Sequence, residues 1–469
     1  ARSFRLLSRI VCPPRTDMTG AVAINLCPRI VKTGEEPDEA DERTALLEEA
    51  RACKPLKCAA VPTAAIAAQQ DLVQICNRSL DIFKGILVVF MTWAHADLCL
   101  LSPALQYFSM IPHFVGNMAS GLCFLGFMLA YGFSCDNAYF SDQKARSAAE
   151  RFERVMRSAM LPVFAAWVCA FAWGYMCWKL PITLSGVLMI LDFRVAVGNG
   201  PDFLMCFTIS LLLMYPLRHL VNSGFASPSL WRRASLVFAL LCVPLAFTQV
   251  IIPDCTGARK YLNYFFECTS REQFAPVLPA VPHLFYFNLG ILFARSARAL
   301  SWEMKMGNQV NLRVLGALFL VLMNVCLFLS YPLMTVWSSA YGNIMVPTKW
   351  GMVTRGFVNG PSLLWLLGNL FGVFLLLATS MGLYLLATMD GPAVWKALRA
   401  VVLRPVLGQL EHLGANVLMY LVVGDLCLAG LYRGLSNQWP LDAASSPGSG
   451  GALMTFAIFM VVRFVHYLG

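Results

Sequence analysis

Charge is what this sequence has least of. Only 13% of its 469 residues are Asp, Glu, Lys or Arg, and six are His. Soluble domains carry about a quarter of their residues as charges, so a soluble enzyme is excluded. The formal net charge of +10 is modest for the length, and no part resembles a nucleic-acid module. No CxxC pair or Cys/His cluster at zinc spacing occurs, which excludes a zinc module and leaves no metal to expect. Heptads, internal repeats and inverted repeats are also missing, and the last absence weakens a transporter or flippase reading. The 16 cysteines lie scattered, mostly inside apolar runs, where a thiol acts as a small buried hydrophobe. Only Cys255 and Cys268 share one short loop, and whether they pair stays open.

What the chain does have is apolar sequence: 58% of its residues, with a mean hydropathy of +0.63. That composition predicts an all-α polytopic membrane protein. Runs long enough to span occur at 80–102, 111–134, 155–178, 202–220, 235–253, 276–296, 312–334, 361–388, 413–433 and 450–468. An eleventh run, 180–193, is short. If it does not cross, the loops on the N-terminal side hold five, three, four and three Lys/Arg, fifteen in all. The opposite loops hold two, three, two and none, seven in all. If it does cross, the basic loops are split between sides. The positive-inside rule therefore predicts ten spans, a re-entrant or interfacial 180–193, and both termini on the basic side.

Ahead of the spans, residues 1–75 read as an extramembrane extension and 76–469 as the membrane domain. Residues 1–32 carry Arg2, Arg5, Arg9, Arg15, Arg29 and Lys32 against Asp17 alone, a composition typical of organellar targeting. An acidic stretch, GEEPDEADERTALLEEA, follows. Such a segment cannot offset its ordering entropy by folding on itself, so it is expected to lie along other protein subunits.

The first span poses the sharpest question. Within Ile82–Trp93 the only charge is Lys84, yet Asp81 precedes that run and His95 follows it. Charges at membrane depth are costly and usually face a polar cavity or each other. Lys84 and His95 are eleven positions apart, so they share a helix face about 16 Å apart. Asp81, Lys84, Val88, Met91 and His95 make one stripe, expected to wall a polar shaft shared with helices two, three and seven. Each residue also has a bland role. His95 could bond a neighbouring helix, Lys84 could snorkel to headgroups, and Asp81 could serve the helix dipole.

The stretch RSLDIFKGILVVFMTWAH (78–95) resembles the first helix of the acyltransferase-3 type of membrane acyltransferases. That helix carries a basic residue, ten intervening positions and a His. GLCFLGFMLAYGF (121–133), RFERVMRSAMLP (151–162) and LGANVLMYLVVGD (413–425) are similar to later helices of that family. APVLPAVPHLFYFNLGILFAR (275–295) is similar to a helix shared with heparan-α-glucosaminide N-acetyltransferase relatives. The resemblance implies acyl transfer from an acyl-CoA donor to a carbohydrate or lipid acceptor. It implies His95 as base, Lys84 as companion cation and Asp81 as the group that orients the cation. It also implies Arg151, Arg154 and Arg157 as contacts for the donor's phosphates. The chain departs from the pattern at three points. Lys84 stands for Arg, the second helix lacks its Ser, and Gly424 stands where a late His is usual.

Two functions follow as expectations. One is an integral-membrane acyltransferase, with bound lipids and membrane lipids as its surroundings. The other is a degenerate acyltransferase fold that serves as an accessory subunit of a respiratory or ATP-synthase complex. That subunit would sit in the mitochondrial inner membrane with its termini in the matrix. The three departures and the N-terminal extension motivate the second reading.

Overall fold

The computed structural model describes residues 72–100, 122–140, 147–177, 203–252, 262, 264–268, 279–305, 345–348, 351–354, 363–388 and 391–435, with 457, 460 and 461. These residues are 93% helical. The helices are α1 (Leu72–Leu100), α2 (Phe124–Cys135), α3 (Ala148–Cys177), α4 (Phe203–Ala226), α5 (Leu230–Ala246) and α6 (Ala280–Lys305). They continue as α7 (Leu363–Gly368), α8 (Leu370–Thr388), α9 (Ala393–Leu398), α10 (Arg404–Ala415) and α11 (Val417–Leu435). Two short sheets complete the described elements. In one, Ile251–Ile252 pairs in parallel with Glu267–Cys268; in the other, Met345–Thr348 pairs antiparallel with Gly351–Thr354.

Local sequence explains several helix ends. Ser147 and Glu150 form a reciprocal capping box at the start of α3, with hydrogen bonds of 3.3 and 3.2 Å. Ser229 caps α5 by accepting from the Arg232 N–H. Pro162, Pro216 and Pro244 lie inside α3, α4 and α5, which membrane helices tolerate where neighbours re-satisfy the freed carbonyl.

Among the described residues three helices are long and apolar enough to cross a membrane: Leu204–Ala226, Leu230–Gln249 and Trp365–Thr388. A fourth candidate is the pair Ala393–Ala415 and Val417–Leu428, bent by 84°. The other expected spans are not all comparable with these. The described part of α2 is 12 residues long, and α1 carries Arg78, Asp81 and Lys84 within two turns. The runs 180–193 and 312–334, and residues 1–71, lie outside the described residues. So does Cys255, the candidate partner of Cys268. Two expected runs differ in shape. The run at 361–388 is interrupted at Asn369, whose amide donates back to the Trp365 carbonyl at 2.8 Å. The late span is preceded by helix rather than loop, and the bend falls at Asn416, which donates to the His412 carbonyl at 2.9 Å.

Small residues set the tightest helix contacts. A Cβ at Gly132 would strike the Phe287 carbonyl, and one at Gly290 would strike the Leu129 carbonyl, so α2 and α6 touch backbone to backbone. A Cβ at Gly85 would meet the Leu410 carbonyl, and one at Gly414 the Asp81 carbonyl. The order of those two contacts makes α1 and α10 antiparallel. Around these seams pack the fully buried Phe83, Leu87, Phe133, Phe140, Tyr286, Phe287 and Tyr420. Valine at Gly85 or Gly414 must push α10 off α1. We expect each to lower stability by about 1–3 kcal/mol, as overpacking does. The midpoint of thermal unfolding in detergent measures this, with Gly430→Ala, which has open space around its Cα, as the neutral control.

Candidate active site

α1 carries three of the residues singled out in the sequence. Asp81 and Lys84 stand one turn apart and form an ion pair, Nζ to Oδ1 2.7 Å, with side chains 29% and 19% exposed. Each is thus paired with an opposite charge, as membrane-embedded charges usually are. Asp81 therefore neutralises Lys84, and its backbone carbonyl is also the atom that Gly414 of α10 approaches.

His95 finds its partner on the last described helix. Its Nδ1 lies 3.2 Å from Oδ1 of Asp425 on α11, whose side chain is 4% exposed. Asp425 follows Gly424, the position at which the family pattern led us to look for a His. An Nδ1–H donated to the carboxylate leaves the imidazole lone pair on Nε2, the arrangement that an orienting carboxylate imposes on a catalytic histidine. Asp425 is the partner of His95 that the sequence reading missed. Its signal was present: an acid nine residues into an apolar helix, where it needs a partner.

The stripe was expected to face helices two, three and seven. α1 is gripped by α10 and contacts α8, α11, α6 and α2, the last of which belongs to the expected second span. Helix seven, 312–334, lies outside the described residues.

The arginines of α3 sit elsewhere. Arg154 lies over the ring of Tyr139 at 5.7 Å, and Arg157 donates to Glu153 at 2.7 Å on an exposed face. Arg151 is half-buried near the start of the same helix. Tyr139 itself shares a hydrogen bond with Ser158. Cys123 bonds the Leu87 carbonyl at 3.4 Å and Gly126 packs on Phe83 and Leu87, so α1 and α2 are antiparallel. From that crossing His95 lies about 12 Å along the axis in one direction and Tyr139 about 24 Å in the other. The histidine and the arginine group thus occupy opposite ends of the bundle.

A second buried charge group lies at the arginine end. Asp136, in the π-helical turn Asp136–Phe140 that ends α2, is fully buried. Arg295 of α6 donates to it through Nε at 2.9 Å and to Asn222 of α4 at 2.6 Å. Arg298 donates to Asp136 and to Asn137. Asn222 in turn donates to the Phe140 carbonyl at 2.9 Å. Every contact joins α2, α4 and α6, so this group is a clasp between helices. His283 is buried on α6 against Phe124 and Trp365, with Nδ1 2.7 Å from the Pro279 carbonyl. Among the described residues no group of three or more His, Cys, Asp or Glu could hold a metal.

The family model described as heparan-alpha-glucosaminide N-acetyltransferase, catalytic, matches residues 77–322. The match takes in α1 to α6 and with them Asp81, Lys84, His95 and the three arginines, whereas Asp425 lies beyond it. No curated protein and no solved structure matches the chain. The family match covers more than half of the 469 residues, and the chain belongs to the family of heparan-alpha-glucosaminide N-acetyltransferase catalytic domains.

Proposed function

We propose that this chain is an integral-membrane acyltransferase that uses His95 as its general base. The observation that carries the reading is the His95–Asp425 pair, an imidazole 3.2 Å from a buried carboxylate on a separate helix. The donor is an acyl-CoA. The acceptor is a carbohydrate, with the amine of a glucosaminide the first candidate because the matched family carries that name. A lipid hydroxyl is the alternative acceptor suggested by the acyltransferase-3 resemblance.

In the proposed step the acceptor nitrogen or oxygen attacks the thioester carbonyl, and His95 takes its proton. The C–S bond then breaks, and the thiolate leaves and recovers that proton. Asp425 holds the ring and stabilises the imidazolium formed in between. Lys84 lies about 16 Å from His95 along the same helix face and is paired with Asp81, so it is offered as a contact for a negatively charged part of the donor rather than for the reacting carbonyl. Asp81 positions that cation. Arg151, Arg154 and Arg157 are offered for the donor's phosphates, which requires the donor's arm to reach from one end of the bundle toward the other.

A second reading draws on Lys84, whose ammonium is already bound by Asp81. In that reading the fold is retained without turnover, as an accessory subunit of an organellar complex, with residues 1–75 against partner subunits.

One assay separates the two. The full chain, reconstituted in proteoliposomes, is given radiolabelled acetyl-CoA and glucosamine, and N-acetylglucosamine is measured. Label transfer that depends on the protein supports the enzyme. No transfer to amine or lipid acceptors, together with stoichiometric co-purification in a larger complex, supports the scaffold.

A further inference from the structure

We propose that Asn416 is a positioning residue for the His95–Asp425 pair, setting the angle at which α11 carries the carboxylate to the imidazole. The inference rests on the reading of that pair as the catalytic one. Between α10 and α11 the chain turns by 84°. On either side of the turn it meets α1. Gly414 sits against the Asp81 carbonyl two residues before Asn416, and Asp425 reaches His95 nine residues after it. The near contact is so close that it admits no Cβ, which fixes the start of α11 against α1. The angle of the bend then decides where Asp425 falls.

Asn416 holds the bend through three hydrogen bonds. Its backbone lies outside the helical region, at φ −119° and ψ 31°. The backbone N–H, which a straight helix gives to the His412 carbonyl, goes to the Leu413 carbonyl at 3.2 Å instead. The side-chain amide takes over the His412 carbonyl at 2.9 Å. The Asn416 carbonyl accepts from the Tyr420 N–H at 3.1 Å and so opens α11. The side chain thus supplies the bond that the bend removes, as a residue only 6% exposed inside a membrane domain needs. The rings of His412 and Tyr420, one turn to either side, meet edge to face at 6.1 Å across the bend.

The lever is long. Nine residues of helix span about 13.5 Å, so a change of about 10° at Asn416 moves Asp425 by roughly 2 Å. A hydrogen bond of 3.2 Å does not survive that displacement. Alanine at 416 removes the side-chain donor to the His412 carbonyl, and the backbone N–H recovers that bond by straightening the helix. Serine keeps a donor, because its hydroxyl bonds the carbonyl four residues back and favours a bent helix.

The test uses the full chain in lipid nanodiscs, with nitrogen-15-labelled histidine and with acetyl transfer from acetyl-CoA to glucosamine measured alongside. His95→Ala assigns the His95 signal among the six histidines. The expected wild-type signature is a protonated Nδ1 and an unprotonated Nε2. Asn416→Ala should lose that signature, lower kcat roughly a hundredfold with KM unchanged, and move the His95 limb of the pH–rate profile. Asn416→Ser should restore all three. Adding Asp425→Asn to Asn416→Ala should cost nothing further, because both changes act through one contact. The signal of His283, bonded to Pro279 on α6, should stay in place in every variant, which a general loss of packing would not allow. If Asn416→Ala does not fold, Asn416→Gly removes the same donor, keeps the backbone free to bend and has the same expected result. An unaltered His95 signature without the Asn416 side chain overturns the proposal, and so does an Asn416→Ser protein that lacks it. A signature that responds as expected in a protein that transfers no acetyl group would support the positioning and remove the acyltransferase reading.

Discussion

Replacing His95 with alanine is expected to abolish acyl transfer while leaving the helices in place. His95 is partly exposed at its end of α1 and pairs with Asp425 on α11. Removing a general base typically costs roughly 10²–10⁴-fold in rate. Asp425→Asn tests the orienting role separately. The amide can still accept a hydrogen bond from the ring, yet it can also donate one and so permit the wrong tautomer. We expect a large fall in kcat with little change in KM, because neither residue is placed to bind the remote parts of the donor. The pH–rate profile discriminates further. If Asp425 only packs, the profile of Asp425→Asn keeps the shape of the parent; if it orients a base, the limb that reports His95 moves. Unchanged turnover in His95→Ala would remove His95 from the mechanism.

Asp136→Ala should be the most destabilising single change in the described bundle. The carboxylate is fully buried and receives hydrogen bonds from both Arg295 and Arg298, whose side chains are 13% and 19% exposed. Its removal leaves two guanidinium groups close together in a medium of low dielectric without the carboxylate that both pair with. Breaking a buried ion pair by deleting one partner costs about 3–5 kcal/mol. The change should lower the unfolding midpoint in detergent and reduce the yield of monodisperse protein. Asp136→Asn should be milder, because it still accepts from one arginine. The double change Asp136→Leu with Arg298→Leu should recover part of the loss, since one guanidinium rather than two is then left without the Asp136 carboxylate. A wild-type melting curve for Asp136→Ala would mean that the clasp contributes nothing to stability.

Comparing these two sites shows what could be read in advance. Asp81, Lys84 and His95 were legible in sequence because charges at such depth stand out from an apolar run. The Asp81–Lys84 pair is local, three positions apart on one helix, and helix geometry alone delivers it. Asp425 and Asp136 were present in the same text but were given no role. Their partners lie 330 and about 160 positions away along the chain, and neither spacing follows from any helical period.

The segment 389–412 makes the same point. Its three cations were counted as a basic connection, yet that count could not say that 393–415 is helical or that none of its first eleven residues is buried. Conversely, the glycines at 85, 132, 290 and 414 look unremarkable in sequence. Only the crossing of α1 with α10 and of α2 with α6 brings carbonyls onto their Cα atoms.

By itself the sequence determined the membrane class, the helical content and the chemistry available on α1. Hydropathy, charge depth and residue type act locally, through transfer free energies that need no knowledge of neighbours. The tertiary structure alone decided which acid pairs with His95 and which arginines close on Asp136. Those pairings depend on how helices distant in sequence cross. Their crossings are set by backbone contact at small residues and by the cost of leaving a buried charge without its partner.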